Sequence, residues 1–140
     1  MNTQPLPSDG GQHAPKNDDG SAGERPRVVY VVDDEVIIAD MTSLILRAAG
    51  FQVHTFYDGA EVLSNPTETP PDILVTDYWM PRVNGLVLAE WVQKHYPQCR
   101  VVMISGHANL LPEMNRKKYF TLLSKPIHPE KLIKIIKQAA

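Results

Sequence analysis

The sequence predicts an α/β protein in which helices cover both faces of a doubly wound parallel sheet. Short β-type runs alternate with helical patterns from Arg27 onward, and the first run, 28–32, is apolar throughout. A continuously apolar run is typical of a strand that is buried on both faces, as strands of parallel sheets are. With 140 residues the chain has room for one ordinary domain.

Five strands and five helices are expected along the chain. Gly50 is expected to end the first helix, Asn84 to cap the third and Pro129 to begin the last. The first helix is predicted from apolar residues at helical spacing, which are Ile37, Met41, Leu44, Ile45 and Ala48. The other predicted helices are about 58–63, 85–95, 110–117 and 129–138. The predicted strands are 28–32, 52–56, 73–76, 101–104 and 119–123.

The order of the strands follows from which of them are buried. Residues 52–56 alternate polar with apolar side chains, so this second strand is expected at an edge of the sheet. With right-handed crossovers, the flavodoxin-like order 2-1-3-4-5 is the simplest that satisfies this. Ligands of such sheets bind at the carboxyl ends of the strands, near the point where the strand order reverses.

The bulk composition limits the class of protein. Residues 1–26 contain four prolines and four glycines and almost no large apolar side chains, so they are expected to form a disordered leader to a domain at 27–140. No apolar run approaches the roughly 20 residues needed to cross a bilayer, and no secretory signal is present. A cytoplasmic protein without a membrane partner is therefore expected.

Charged and hydroxyl side chains follow four of the predicted strands. Asp33 and Asp34 follow the first, Asp77 the third, Ser105 the fourth and Lys125 the fifth. Carboxylates that meet at one crevice repel one another, so a cation is needed among them. Hard carboxylate oxygens suit Mg2+, and serine and lysine are natural donors to phosphoryl oxygens. A carboxylate can itself act as a nucleophile, in this case by forming an acyl phosphate.

With these residues the sequence resembles the response regulator receiver family over nearly all of 27–138. The matching motifs are 31–35 (VVDDE), 77–81 (DYWMP) with Gly85, Ser105-Gly106, and Lys125-Pro126, whose peptide bond resembles the family's cis bond. The resemblance implies that Asp77 is the phosphoacceptor. It also implies that Asp34, Asp77 and the backbone carbonyl of Trp79 bind Mg2+, for which Mn2+ could substitute, and that Asp33 binds it through water. Ser105 and Lys125 would contact the phosphoryl group.

The resemblance further implies a signalling protein that is not an enzyme toward other molecules. Its phosphodonor would be a histidine kinase or a histidine phosphotransfer protein, and its output an unidentified protein target. No DNA-binding module follows Gln138, so no nucleic-acid partner is expected. Leu122 stands where the family usually has an aromatic residue, which puts an aromatic switch in question.

Other functions on related folds are less compatible with the residues. A flavodoxin needs a Ser/Thr/Gly-rich phosphate loop where Asp33 and Asp34 stand, and an aspartate-nucleophile phosphatase needs a second acid at Trp79. A receiver that is never phosphorylated remains an alternative, against which the intact acidic, serine and lysine set argues. For Glu35, a favourable interaction with the helix dipole is preferred over a metal role.

Overall fold

The computed structural model describes residues 25–64, 69–106 and 121–139. Four helices lie in this part of the chain: α1 (Val36–Ala48), α2 (Gly59–Ser64), α3 (Gly85–His95) and α4 (Pro129–Ala139). The strands are β1 (Val28–Val32), β2 (Gln52–Phe56), β3 (Ile73–Asp77), β4 (Arg100–Ser105) and β5 (Thr121–Ser124). The predicted helix at 110–117 and the first two residues of the predicted fifth strand lie outside the described residues, as does most of the predicted leader.

The strands form one parallel sheet in the order β2-β1-β3-β4-β5, which confirms the predicted topology. In the register of this sheet Val32 pairs with Thr76, Asp77 with Ile104, and Ser105 with Ser124. The last residues of β1, β3, β4 and β5 therefore lie along one edge. This register is what brings the distant sequence motifs to one crevice.

Helices cover both faces of the sheet because successive strand residues point to opposite sides. Val28, Tyr30 and Val32 of β1 face a cluster that includes buried side chains of α2 and α3. Val29 and Val31 face the other cluster, which includes buried side chains of α1 and α4. Every residue of β1 and β3 is buried, as expected for central strands of a doubly wound sheet.

Helix α1 forms where the sequence predicts it, but several of the apolar residues that predict it are exposed. Ile37, Met41 and Leu44, which helped to predict it, are exposed, and the buried residues of α1 are Ala39, Thr42, Ser43 and Leu46. The Oγ of Ser43 lies 2.6 Å from the Oγ1 of Thr55 on β2, so this polar pair is satisfied where the helix meets the sheet. The buried face of α1 therefore includes hydroxyl side chains, which apolar periodicity does not identify.

Helix α3 begins where the sequence predicts it. The Oδ1 of Asn84 accepts a hydrogen bond of 2.9 Å from the backbone N–H of Val87, which confirms Asn84 as the N-cap. In the described ranges, no helix is long and apolar enough to cross a membrane.

Candidate functional site

Three aspartates meet at the carboxyl edge of the sheet. Asp33 follows β1 and is buried, Asp34 is exposed beside it, and Asp77 is the buried last residue of β3. Each aspartate offers a carboxylate oxygen, and these oxygens all lie within 4.8 Å of one another. This arrangement is what the strand-end motifs predict.

The aspartate cluster fits a hard divalent cation. Its donors are carboxylate oxygens, two of the three residues are buried, and such oxygens are the ligands that Mg2+ prefers. The backbone N–H of Glu35 donates a 2.9 Å hydrogen bond to Oδ1 of Asp33, which orients that carboxylate. A cation placed among the three oxygens would offset a repulsion that is otherwise strong in a partly buried site.

Lys125 supplies a fixed positive charge to this cluster. It follows β5, and its peptide bond to Pro126 is cis, as expected from the motif. Its Nζ lies 3.1 Å from Oε1 of Glu35, 3.4 Å from Oδ2 of Asp33 and 3.5 Å from Oδ1 of Asp77. The ammonium group therefore contacts three carboxylates at once, one of which, Glu35, sequence reasoning did not place there.

Asp34, Asp77 and Lys125 line a crevice of about 360 Å³, and its other walls are Glu35, Trp79 and Gly106. The indole of Trp79 is about half exposed and packs edge-on against Tyr78, with the ring centroids 4.8 Å apart. Ser105 is fully buried at the end of β4, and its backbone oxygen accepts a 3.0 Å hydrogen bond from the N–H of Lys125. Four predicted site residues therefore line the crevice, whereas Asp33 and Ser105 are buried beside it, next in the chain to Asp34 and Gly106.

Burial is the main cause that raises the proton affinity of the two buried carboxyls, Asp33 and Asp77. Burial, followed by the charge of Asp33, raises the pKa of Asp77 to about 6, although Lys125 opposes the shift. Burial also raises the pKa of Asp33. For Lys125, burial lowers the pKa, but the hydrogen bond to Glu35 and the charges of Asp77 and Asp33 outweigh it, and the net pKa is raised. Strongly perturbed carboxyls that face a cleft are typical of functional sites.

Gly85, at the start of α3, allows the helix to pack closely behind Asp77. A Cβ on Gly85 would come within 2.4 Å of the Asp77 carbonyl oxygen and 2.8 Å of the Met103 Sδ. The N–H of Gly85 donates a 2.8 Å hydrogen bond to the carbonyl of Tyr78. This contact sets the position of the chain immediately after β3.

Leu122, at the position where an aromatic residue is usual, is half-buried and packs against the core cluster on the α2 and α3 side of the sheet. The neighbouring aromatic residues Tyr119 and Phe120 lie outside the described part of the chain. The described residues therefore do not test whether an aromatic side chain acts as a switch.

Comparison with known proteins gives a consistent result. The response regulator receiver domain model matches residues 29–137. The DNA-binding transcriptional regulator NtrC of Escherichia coli K12 is 30% identical over 114 residues, which are 80% of this chain but 24% of NtrC. The chain therefore spans about a quarter of the length of the curated relatives it matches.

Solved structures of similar proteins extend over most of this chain. A response regulator receiver domain protein from Clostridium thermocellum superimposes with a TM-score of 0.73 at 28% identity, covering 81% of this chain and 93% of that one. The chemotaxis protein CheY4 of Vibrio cholerae gives a TM-score of 0.74 at 28% identity, with coverage of 82% and 99%.

Proposed function

Because the chain belongs to the response regulator receiver domain family, we propose that Asp77 accepts a phosphoryl group from a phosphohistidine of a partner protein. The partner is a histidine kinase or a histidine phosphotransfer protein. The observation that carries the proposal is the buried Asp77 carboxylate at the end of β3, with the Lys125 ammonium 3.5 Å from its Oδ1 and two further aspartates beside it.

The transfer is a displacement at phosphorus. An Oδ of Asp77 forms a bond to phosphorus while the P–N bond of the phosphohistidine breaks, and the electron pair of that bond stays on the imidazole nitrogen, which takes a proton from water. The product is an acyl phosphate on Asp77. Because phosphoryl transfer involves little covalent chemistry by the protein, positioning and charge stabilisation do most of the work.

The residues of the crevice have separate roles in this proposal. Asp34, Asp77 and the carbonyl of Trp79 would hold Mg2+, with Asp33 acting through water, and the bound cation would supply positive charge that offsets the negative charge of the phosphoryl oxygens. Lys125 pairs with the Asp77 carboxylate before transfer and with a phosphoryl oxygen afterwards. Ser105 donates its hydroxyl hydrogen to another phosphoryl oxygen.

The chain acts as an acceptor and not as an enzyme toward other molecules. Asp77 is itself changed by the reaction, and the acyl phosphate is returned to carboxylate and inorganic phosphate when water attacks the phosphorus. The phosphorylated and unphosphorylated forms then differ in charge and hydrogen bonding at one edge of the sheet, and a downstream protein distinguishes them by contact.

Intact-mass measurement after incubation with acetyl phosphate tests the proposal. Wild-type protein should gain one phosphoryl group in the presence of Mg2+, and also of Mn2+, and should gain none in excess chelator. Asp77→Asn should gain none, whereas Asp72→Asn, which changes the aspartate preceding the same strand, should label as wild type does. Equal labelling of Asp77→Asn, or labelling that is indifferent to chelator, would contradict the assignment.

Lys125→Ala separates a functional lysine from a structural one. Loss of the ammonium should slow phosphorylation or abolish the conformational response while the variant keeps a cooperative unfolding transition. A variant that does not fold would instead indicate that Lys125 is required for the stability of the domain.

A further inference from the structure

Glu35 occupies the N-cap position of α1 but does not cap the helix with its side chain. Its backbone carbonyl accepts the first helical hydrogen bond, from Ala39 at 2.9 Å, and its backbone N–H donates to Asp33. The side chain extends across the crevice, and its Oε1 accepts a 3.1 Å hydrogen bond from Nζ of Lys125. A glutamate that only complemented the helix dipole would not need this contact with a residue 90 positions away.

The three carboxylates around Lys125 differ in how easily they can release it. The side chain of Glu35 is 61% exposed, while those of Asp33 and Asp77 are 5% and 7% exposed. Rotating Glu35 away from Lys125 into water costs little free energy, because an exposed ion pair is screened by solvent and contributes little. Asp33 cannot move in this way, because its carboxylate is buried and accepts a hydrogen bond from the Glu35 N–H.

We propose that Glu35 is a positioning residue that holds the Lys125 ammonium toward the mouth of the crevice in the unphosphorylated protein and releases it when a phosphoryl group binds at Asp77. This inference rests on the proposed function of Asp77. The shortest contact of Lys125 among the three carboxylates is to the one that can leave, so the phosphoryl oxygens compete with Glu35 for the ammonium. Glu35 consequently restrains the rate of phosphorylation.

Glu35→Gln and Glu35→Asp together separate position from charge. Glutamine removes the charge, whereas aspartate keeps the negative charge at the mouth of the crevice but is one methylene too short to make the same contact. We expect both variants to be phosphorylated by acetyl phosphate roughly two- to five-fold faster than wild type, the size expected from an exposed ion pair. If only Glu35→Gln is faster, Glu35 acts by repelling the donor and the inference is wrong.

Glu130→Gln is the matched control, because Glu130 is an exposed acid in the first turn of α4 and shares the helix-terminal setting. It should phosphorylate at the wild-type rate. Magnesium affinity, measured by calorimetry on the unphosphorylated proteins, should be nearly equal in wild type and Glu35→Asp. A loss of affinity in Glu35→Asp as large as that in Asp34→Asn would make Glu35 a metal ligand and overturn the inference.

The side-chain NMR resonances of Lys125 give a readout that does not depend on rate. They should differ between wild type and Glu35→Gln before phosphorylation and coincide while excess donor keeps both proteins phosphorylated. A difference that persists unchanged in both states indicates a static ion pair and overturns the inference. Failure of wild type to label at Asp77 at all would overturn the proposed function, and this inference with it.

Discussion

The two ends of β3 carry aspartates in opposite electrostatic settings. Asp72 precedes the strand, and its carboxylate accepts hydrogen bonds of 2.8 and 2.9 Å from Arg25 and of 2.8 Å from the N–H of Val28. These partners lower the pKa of Asp72, with the Arg25 hydrogen bond as the main cause. Asp77 ends the strand among other acids, and burial raises its pKa to about 6.

The contrast shows that the neighbouring charges and donors, and not burial alone, determine whether the ionised form of a carboxylate is favoured. Asp72 has donors for its charge and joins β1, β3 and the segment before β1, so its ionised form is favoured by folding. Asp77 shares one ammonium with Asp33 and Glu35, so its ionised form is disfavoured until more positive charge arrives. Cavity size does not mark the site either, because the cavity beside Asp72 is about 520 Å³ and the crevice at the acidic cluster is about 360 Å³.

Among these predictions, the largest effect is expected for Asp77→Asn, in how its free energy of unfolding without bound metal depends on pH. A raised folded-state pKa means that the stability contributed by Asp77 is present below its unfolded pKa of about 4 and lost as the pH rises through 6. Asp77→Asn should therefore be more stable than wild type at pH 8, by up to about 3 kcal/mol, and the difference should shrink toward pH 4. Urea unfolding at several pH values measures this.

The contribution of Asp72 to stability should depend on pH in the opposite direction in the same measurement. Because its folded-state pKa is lowered, its contribution is present above the unfolded pKa of about 4 and is lost as the pH falls through the folded value. Asp72→Asn should thus lose stability relative to wild type at neutral pH and recover toward it in acid. A destabilised Asp77→Asn at pH 8 would break the proposed contrast.

Gly85→Ala perturbs the Asp77 end through packing. The new Cβ would overlap the Asp77 carbonyl oxygen and Met103, and overpacking of this kind costs about 1–3 kcal/mol. Because one of the displaced atoms is the carbonyl oxygen of Asp77, phosphorylation should also slow on the proposed function. Gly106→Ala is the control for stability alone, since among the described residues no heavy atom lies within 4 Å of its Cβ position. An unchanged unfolding midpoint for Gly85→Ala would show that α3 is not packed closely behind Asp77.

The smallest effects are expected at the Asp72 end. Asp72→Ala leaves the N–H of Val28 without its 2.8 Å acceptor and should cost about 1–2 kcal/mol. Arg25→Ala should cost less than about 1 kcal/mol, because the Arg25 side chain is 64% exposed and solvent screens its ion pair. Neither variant should alter labelling of Asp77. If Arg25→Ala costs as much as Asp72→Ala, the guanidinium and not the Val28 hydrogen bond is the main stabilising partner.

Sequence reasoning predicted what depends on periodicity and topology. The strand order and the convergence of Asp33, Asp34, Asp77 and Lys125 follow from the rule that parallel strands end at one edge, and the structure confirms them. The functional role of each of these residues stays a prediction until labelling is measured.

Contacts between side chains distant in sequence could not be predicted. The Glu35–Lys125 and Arg25–Asp72 pairs depend on the paths of loops and on rotamers, about which hydrophobic periodicity carries no information. The burial of polar residues on α1 could not be predicted for a related reason, since it depends on the Ser43–Thr55 hydrogen bond. The sequence did offer one indication of this pair. Ser43 lies at helical spacing from buried positions of α1, and Thr55 lies on the edge strand β2.

The register that unites the crevice also has a consequence for protein synthesis. β1 pairs with β3, which is made only after β2, and the ammonium that neighbours Asp77 is added after β5. Such long-range pairing is slow to form, because loops must close before contacts are made. A chain still emerging from the ribosome therefore carries Asp77 before Lys125 has been added, so the crevice is complete only after synthesis has passed β5.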